Sequence, residues 1–209
     1  MRQRAELVDQ TRQRITEATA RLHTTIGPAA TSISGIAEEA GVTRVTVYRH
    51  FPDLDVLFQA CRAHWREQHP PPDARAWPAI PGLADRARHA LTELYGWYRE
   101  HAESLYPIYR DMTSMPRSSQ DEIRATNAWL GDQLVEGHTP KGDPGRRLRA
   151  VARHLVDYPT WRSLAIELGL GDDGAANVGV RLLTAMSSVP PDEGRGRRAS
   201  SGRSAAGGP

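Results

Sequence analysis

Apolar side chains recur every three or four residues in the first part of the chain, the spacing of one face of a helix. The stripe consists of Val8, Thr11, Ile15, Ala18 and Leu22. Gly27 and Pro28 follow it, and this pair predicts the end of the helix because glycine accepts a left-handed backbone and proline cannot continue a helical ladder. We therefore expect a first helix that ends near residues 26–28.

Two short helices joined by a glycine turn are predicted next. A hydroxyl at position 31 or 32 can cap a helix over residues 33–40, which ends at Gly41. Thr43 can cap the following helix, which turns Val47 inward. A short helix, a glycine turn and a second short helix form a helix-turn-helix motif, whose second helix lies in the major groove of DNA.

The outward face of that second helix carries residue types that suit DNA. Arginine can donate two hydrogen bonds to one guanine, and a valine methyl can contact a thymine methyl. Hydroxyls and histidine can hold phosphates. The segment from Thr43 to His50 contains no acidic residue, unlike an ordinary solvated helix. We therefore predict a DNA-binding face made of Thr43, Arg44, Val45, Thr46, Tyr48, Arg49 and His50.

Helical patterns continue through the rest of the chain, and prolines divide them. Asp53 can cap a fourth helix over residues 54–68. Residues 69–82 then hold five prolines in fourteen residues, which no long helix can cross. Further interruptions are expected at Pro107, at Pro116, in a loop over residues 136–145 and at a kink at Pro159. No useful length of alternating strand pattern occurs, so the predicted fold class is all-α.

The composition excludes several classes of protein. The 209 residues contain 27 basic and 25 acidic side chains, and this near balance argues against a histone-like or polybasic protein. No apolar run reaches the length of a membrane span, the N-terminus lacks a secretory signal, and the single Cys61 cannot form an internal disulfide. We expect a cytoplasmic protein without a membrane partner. The histidines form no metal-ligand motif and no phosphate-binding fingerprint occurs, so we predict no metal, no cofactor, no catalytic site and no enzyme.

The run from Ile36 to Ala60 resembles the DNA-binding signature of TetR-family transcriptional regulators. It reads IAEEAGVTRVTVYRHFPDLDVLFQA. In that family an Ile-Ala pair, an Ala-Gly-Val turn, a tyrosine and a phenylalanine occur at this spacing and precede a capped fourth helix. The resemblance implies base contacts from Arg44 and Val45. It implies phosphate contacts from Thr46, Tyr48 and His50. It also implies an assisting contact from Ser34 on the preceding helix.

Three positions depart from the pattern of that family. Leu54 stands where the family commonly has a lysine that approaches the phosphates, so this contact is left out of the prediction. Thr19 and His23 stand where the family usually has apolar residues. We expect a slightly different packing of the first helix as a result.

Aromatic and methionine side chains are dense between residues 95 and 129. They can fill an ordinary helical core, or they can line a pocket for a flat or apolar small molecule. The resemblance favours a pocket, because the family keeps its ligand cavity inside the helical body. We predict ligand contacts from Trp97, Tyr98, Tyr109, Met112 and Trp129.

The last two helical patterns carry apolar stripes that suit association between subunits. Burial within one protomer is the alternative. The resemblance implies a four-helix interface between two subunits, and a two-fold dimer matches the symmetry of a palindromic DNA site. We predict an interface that includes Leu155, Trp161, Leu164, Leu182 and Met186.

These patterns together predict a ligand-responsive transcriptional regulator. It would be a repressor that binds a palindromic operator in double-stranded DNA as a homodimer and is released by an unknown small molecule. The alternative is a helical small-molecule carrier or an enzyme that uses the same cavity. The predicted domains are a DNA-binding head over residues 1–52, a regulatory and dimerisation body over residues 53–189 and a disordered tail over residues 190–209.

Overall fold

The computed structural model describes residues 2–188, and within this range the chain is all-α without a strand. The helices are α1 (Arg2–Thr25), α2 (Ile33–Glu39), α3 (Arg44–His50), α4 (Leu54–Gln68), α5 (Leu83–Glu100), α6 (Ala102–Arg110), α7 (Arg117–Val135), α8 (Asp143–Leu155), α9 (Tyr158–Trp161) and α10 (Gly171–Ser187). Short 3-10 helices span Ala74–Ala79 and Met112–Ser114, and a π-helical segment spans Arg162–Glu167. None of these helices is long and apolar enough to cross a membrane. The tail over residues 190–209 lies outside the described range.

Helices α2, α3 and α4 begin where their capping residues predict. Ser32 and Thr43 each accept the backbone N–H three residues further on, at 3.1 and 3.2 Å. Asp53 accepts the N–H two residues further on at 2.9 Å, and α4 starts at the next residue. Gly41 has a φ of +63°, which lets the chain reverse between α2 and α3 without steric cost. The predicted helix-turn-helix is therefore confirmed as a structural motif.

Two apolar clusters hold the molecule together. The first, the head core, joins the first four helices through Ile15, Ala18, Ile36, Ala37, Ala40, Val47, Phe51 and Leu57. The second, the body core, extends over α5–α10 and the 3-10 helix Ala74–Ala79, and it contains Trp77, Tyr95 and Trp161, all fully buried. Since Leu57 lies on α4, the head core extends past the boundary predicted at residue 52.

The interruption predicted at Pro116 is found, since α7 begins at the next residue, but those predicted at Pro107 and Pro159 differ. Pro107 lies inside α6, and the break between α5 and α6 falls at His101 instead. Because α6 packs against α1 and buries Pro107 with Leu105, this burial outweighs the loss of one helical hydrogen bond. Pro159 does not kink a continuous helix: it lies in the first turn of α9, where a missing N–H is not required.

Candidate DNA-binding surface and ligand cavity

Helix α3 exposes the side chains that its sequence assigns to DNA. The side chains of Arg44 and Arg49 are exposed, and Val45 and Tyr48 are 76% and 46% exposed. On the opposite face, Val47 is fully buried in the head core. An exposed valine adds nothing to the core and is free to contact a thymine methyl. The head therefore holds α3 by one face and presents the other to solvent.

Hydroxyl groups surround the start of α3. The hydroxyls of Thr43 and Thr46 lie 2.9 Å apart and share a hydrogen bond, which fixes both side chains at the first turn. Ser34 is exposed on the neighbouring helix α2. Leu54, at the position of the missing lysine, is 43% exposed at the start of α4 and offers no charge to a phosphate.

Arg12 links the end of α3 to α1. This contact was not predicted from the sequence. Its guanidinium donates a hydrogen bond to the carbonyl oxygen of His50 at 2.8 Å and lies 4.1 Å from the centroid of the Phe51 ring. Partial burial lowers the pKa of His50, and the positive charges of Arg49 and Arg12 lower it further. The shift disfavours the charged form of His50 in the free protein, and an imidazole ring carries an N–H donor in either protonation state.

A cavity of about 170 Å³ lies between the head and the body. Its walls come from α1 and α4 on one side and from α5, α6 and α7 on the other. Four of the predicted ligand residues line it: Trp97, Tyr98, Tyr109 and Trp129. Met112 does not line the cavity. It begins the 3-10 turn over residues 112–114, and the buried Met115 that follows this turn lines the cavity instead.

Two polar residues close the α1–α4 side of the cavity. His23 and Cys61 are 4% and 5% exposed, and the histidine Nδ1 lies 3.5 Å from the cysteine Sγ. Burial lowers the pKa of His23 to about 4 and raises the pKa of Cys61 to about 12. Both groups are therefore neutral at pH 7, and the pair is not an activated thiolate. The nearby Thr19 is also fully buried, and its hydroxyl donates to the carbonyl of Ile15 at 2.7 Å.

The turn after α1 is tied to the end of α6. The carboxylate of Asp111 accepts the N–H of Ala29 at 3.1 Å, and Arg110 donates to the carbonyl of Ile26 at 2.9 Å. The hydrogen bond from Arg110 is the main cause that lowers the pKa of Asp111. Gly27 has a φ of +93°, and a Cβ at this position would overlap the Asp111 carboxylate. The sequence predicted Gly27 only as a helix end, and this contact is its second role.

The residues predicted for a dimer interface fall into two groups. Leu155 and Trp161 are 1% and 0% exposed inside the body core of a single chain, so they cannot contact a second subunit, and their assignment is corrected. Leu164 and Met186 are partly buried against the same core. Leu182 is 46% exposed on α10 and is the member of this set that faces solvent most clearly. Periodicity alone gave both groups the same stripe, because it cannot distinguish a helix face buried inside a protomer from one that remains outside.

A helix-turn-helix head with an exposed, acid-free second helix, joined to a helical body, defines a DNA-binding regulator of transcription. Residues 15–61 match the family model described as bacterial regulatory proteins, tetR family. This match supports a TetR-family transcriptional regulator. The match begins at the first residue of the head core and ends inside α4. No curated protein and no solved structure matches the chain.

Proposed function

We propose that this regulator is a repressor that binds a palindromic operator as a homodimer and leaves it when a small molecule occupies the cavity. The observation that carries this proposal is the position of the cavity. Its walls include α1 and α4, which also contribute Ile15 and Leu57 to the head core. A ligand that prefers one arrangement of these helices over another changes the population of head positions, and with it the affinity for DNA.

The proposed DNA contacts divide between bases and phosphates. Arg44 and Val45 read base edges, since both are exposed on the outward side of α3. The remaining contacts go to the backbone and fix the position of the helix in the groove. They come from Ser34, Thr43, Thr46, Tyr48, Arg49 and His50.

The link between α6 and the head gives the cavity a mechanical route to DNA. Ile108 and Tyr109 line the cavity, and they directly precede the two residues that bond to the turn after α1. A shift of α6 around a ligand is therefore transmitted to Ile26 and Ala29 through hydrogen bonds and not through apolar contact alone. We propose that residues 53–189 sense the ligand and pair the subunits, while residues 1–52 read DNA.

Filling the cavity by mutation tests the proposed coupling without a ligand. Ser104 lies on α6 and lines the cavity, so Ser104→Phe adds a ring to its interior. We expect operator affinity to fall at least several-fold, measured by fluorescence anisotropy with a labelled duplex, because the added ring displaces α6 as a ligand would. Ser114→Phe, at an exposed site outside the cavity walls, is the matched control. Wild-type operator affinity in a folded Ser104→Phe variant would contradict the coupling.

Leu182 tests the proposed association of two subunits. The wild-type protein is expected to sediment as a dimer at micromolar concentration. Leu182→Arg places a charge on an apolar, 46% exposed position of α10 and should raise the dimer dissociation constant at least tenfold. Thr92→Arg, at an exposed position of α5, is the control. A wild-type protein that sediments as a monomer, or a Leu182→Arg variant that dimerises normally, would overturn the interface.

A further inference from the structure

The walls of the cavity are mostly apolar, and the charged side chains among them are basic. Among the described residues that line it, two are arginines and none is an aspartate or a glutamate. These arginines, Arg62 and Arg66, both lie on α4. A site with cationic donors and no acidic lining favours a ligand with negative charge or strong hydrogen-bond acceptors.

Arg62 is already held by the protein. Its Nη2 donates to the hydroxyl of Thr126 at 3.2 Å, and its Nη1 is ion-paired with the carboxylate of Glu122 on α7. Nη1 is buried against this carboxylate. The guanidinium of Arg62 is thus fixed in place, and the carboxylate of Glu122 balances its charge.

Arg66 lies one helical turn further along α4 and has more freedom. Within residues 2–188 no hydrogen bond or ion pair of its guanidinium is found, and its electrostatic neighbours are Arg62, Glu122 and Tyr109. Partial desolvation is the main cause that lowers the pKa of Arg66, and the charge of Arg62 is the second. An anion beside both arginines would relieve this repulsion, since the single carboxylate of Glu122 balances only one of the two charges.

Trp97 supplies a second unused donor. Its indole Nε1 is buried and has no acceptor among the described residues, although buried indole N–H groups normally have one. The neighbouring Tyr98, by contrast, has an acceptor: its hydroxyl donates to the carbonyl of Val156 at 2.6 Å. A buried indole N–H without an acceptor in a cavity wall is explained if a bound ligand provides that acceptor.

The size and the rings of the cavity define the rest of the ligand. Its volume is about 170 Å³, and for comparison an apolar cavity of about 150 Å³ accepts a benzene molecule. Phe58, Trp65 and Trp97 present aromatic rings to it, and Trp65 and Trp97 lie 5.8 Å apart in an edge-to-face arrangement. Such walls favour a planar ring system in offset or edge-to-face contact.

We infer that the ligand is a planar carboxylate of one or two aromatic rings. Its carboxylate lies against Arg66, on the side of the cavity that Arg62 also lines, its rings pack among the aromatic walls, and an acceptor atom takes the Trp97 N–H. This inference rests on the proposed function, because it assigns a chemical class to the molecule that releases the operator.

Calorimetric titration of the full-length protein with three probes of equal shape tests the class. They are 1-naphthoate, the neutral 1-naphthamide and the cationic 1-naphthylmethylammonium, at pH 7.5. We expect 1-naphthoate to bind at least tenfold more tightly than the amide and the ammonium probe to bind most weakly. Equal or tighter binding of the amide or the ammonium probe, or no binding of any of the three, would overturn the inference.

Two variants assign the preference to its residues. Arg66→Gln removes a side chain that holds no other part of the protein, and it should abolish the tenfold advantage of the naphthoate while leaving the amide affinity within about twofold. Trp97→Phe keeps the ring and removes the donor, so it should weaken both probes. Arg117→Gln, at an exposed position outside the cavity walls, is the matched control and should bind as the wild type does. An Arg66→Gln variant that retains the naphthoate preference would refute the role of Arg66.

An operator-release assay separates this inference from the proposed function. If 1-naphthoate binds in an Arg66-dependent manner but leaves operator affinity unchanged, the ligand class stands and ligand-controlled release fails. If the operator is released by neutral or cationic aromatics and not by the naphthoate, release stands and the ligand class fails.

Discussion

Replacing Arg44 by alanine is expected to weaken operator binding by about 1–3 kcal/mol, or roughly 5- to 150-fold per interaction, and to relax the preference at one base pair of each half-site. Arg44 is the first residue of α3, directly after the Thr43 cap, and its side chain is exposed. Since this cap and the Arg12 contact hold the helix at both ends, removal of the side chain should leave the position of α3 unchanged. The loss then reports the contact with DNA and not the stability of the head.

Two comparisons make the Arg44 experiment specific. Tyr48→Phe removes a proposed phosphate contact and should weaken all duplexes about equally, without changing their order. Arg181→Ala, at an exposed position of α10, should leave both affinity and sequence preference unchanged. Binding measured against a library of single-base variants of the operator distinguishes these outcomes. An Arg44→Ala variant with the wild-type sequence preference would contradict the base-reading role.

Acidification is expected to destabilise the protein through His23. Burial lowers its folded-state pKa from 6.5 to about 4, so between these values the unfolded chain binds a proton that the folded chain does not. The free energy of unfolding therefore falls as the pH drops from about 6.5 to about 4, by a total of about 3 kcal/mol from this residue, and changes no further below that range. Above pH 6.5 the residue contributes no pH dependence.

The variant His23→Phe separates the effect of His23 from that of the carboxylates, which titrate in an overlapping pH range. Phenylalanine keeps a ring beside Phe58, whose centroid lies 4.6 Å from that of His23, and it cannot be protonated. Urea unfolding of both proteins from pH 8 to pH 4 gives the difference in the free energy of unfolding. We expect this difference to be constant above pH 7 and to shift in favour of the variant as the pH falls. A difference that does not change with pH would show that His23 is not buried as a neutral group.

The head could be predicted from the sequence because its boundaries depend on local chemistry. Ser32, Thr43 and Asp53 cap their helices with side chains that act within three residues, and Gly41 supplies the left-handed turn. The identity of the exposed face of α3 follows equally locally, from the burial of Val47. Arg12 was missed because its partner carbonyl lies 38 residues away in the chain.

The body could be predicted only as a set of helices, since its details depend on which faces meet. Pro107 indicated a break, but it is buried inside α6 and the break occurs at His101. Leu155 and Trp161 form an apolar stripe whether they face a partner or their own core, and the structure places them in the core. In the sequence His23 is a departure from the family pattern and Cys61 a lone cysteine, and their pairing could not be predicted because their contact joins α1 and α4.

The central claim is tested most directly by selection of bound DNA from fragments of the source genome at moderate salt. The predicted result is an enriched palindrome whose half-sites lie about one helical turn, or a multiple of it, apart, and whose enrichment pattern changes at one base pair per half-site with Arg44→Ala. Enrichment of no duplex by the wild-type protein, or of duplexes without two-fold symmetry, would contradict a dimeric operator-binding repressor.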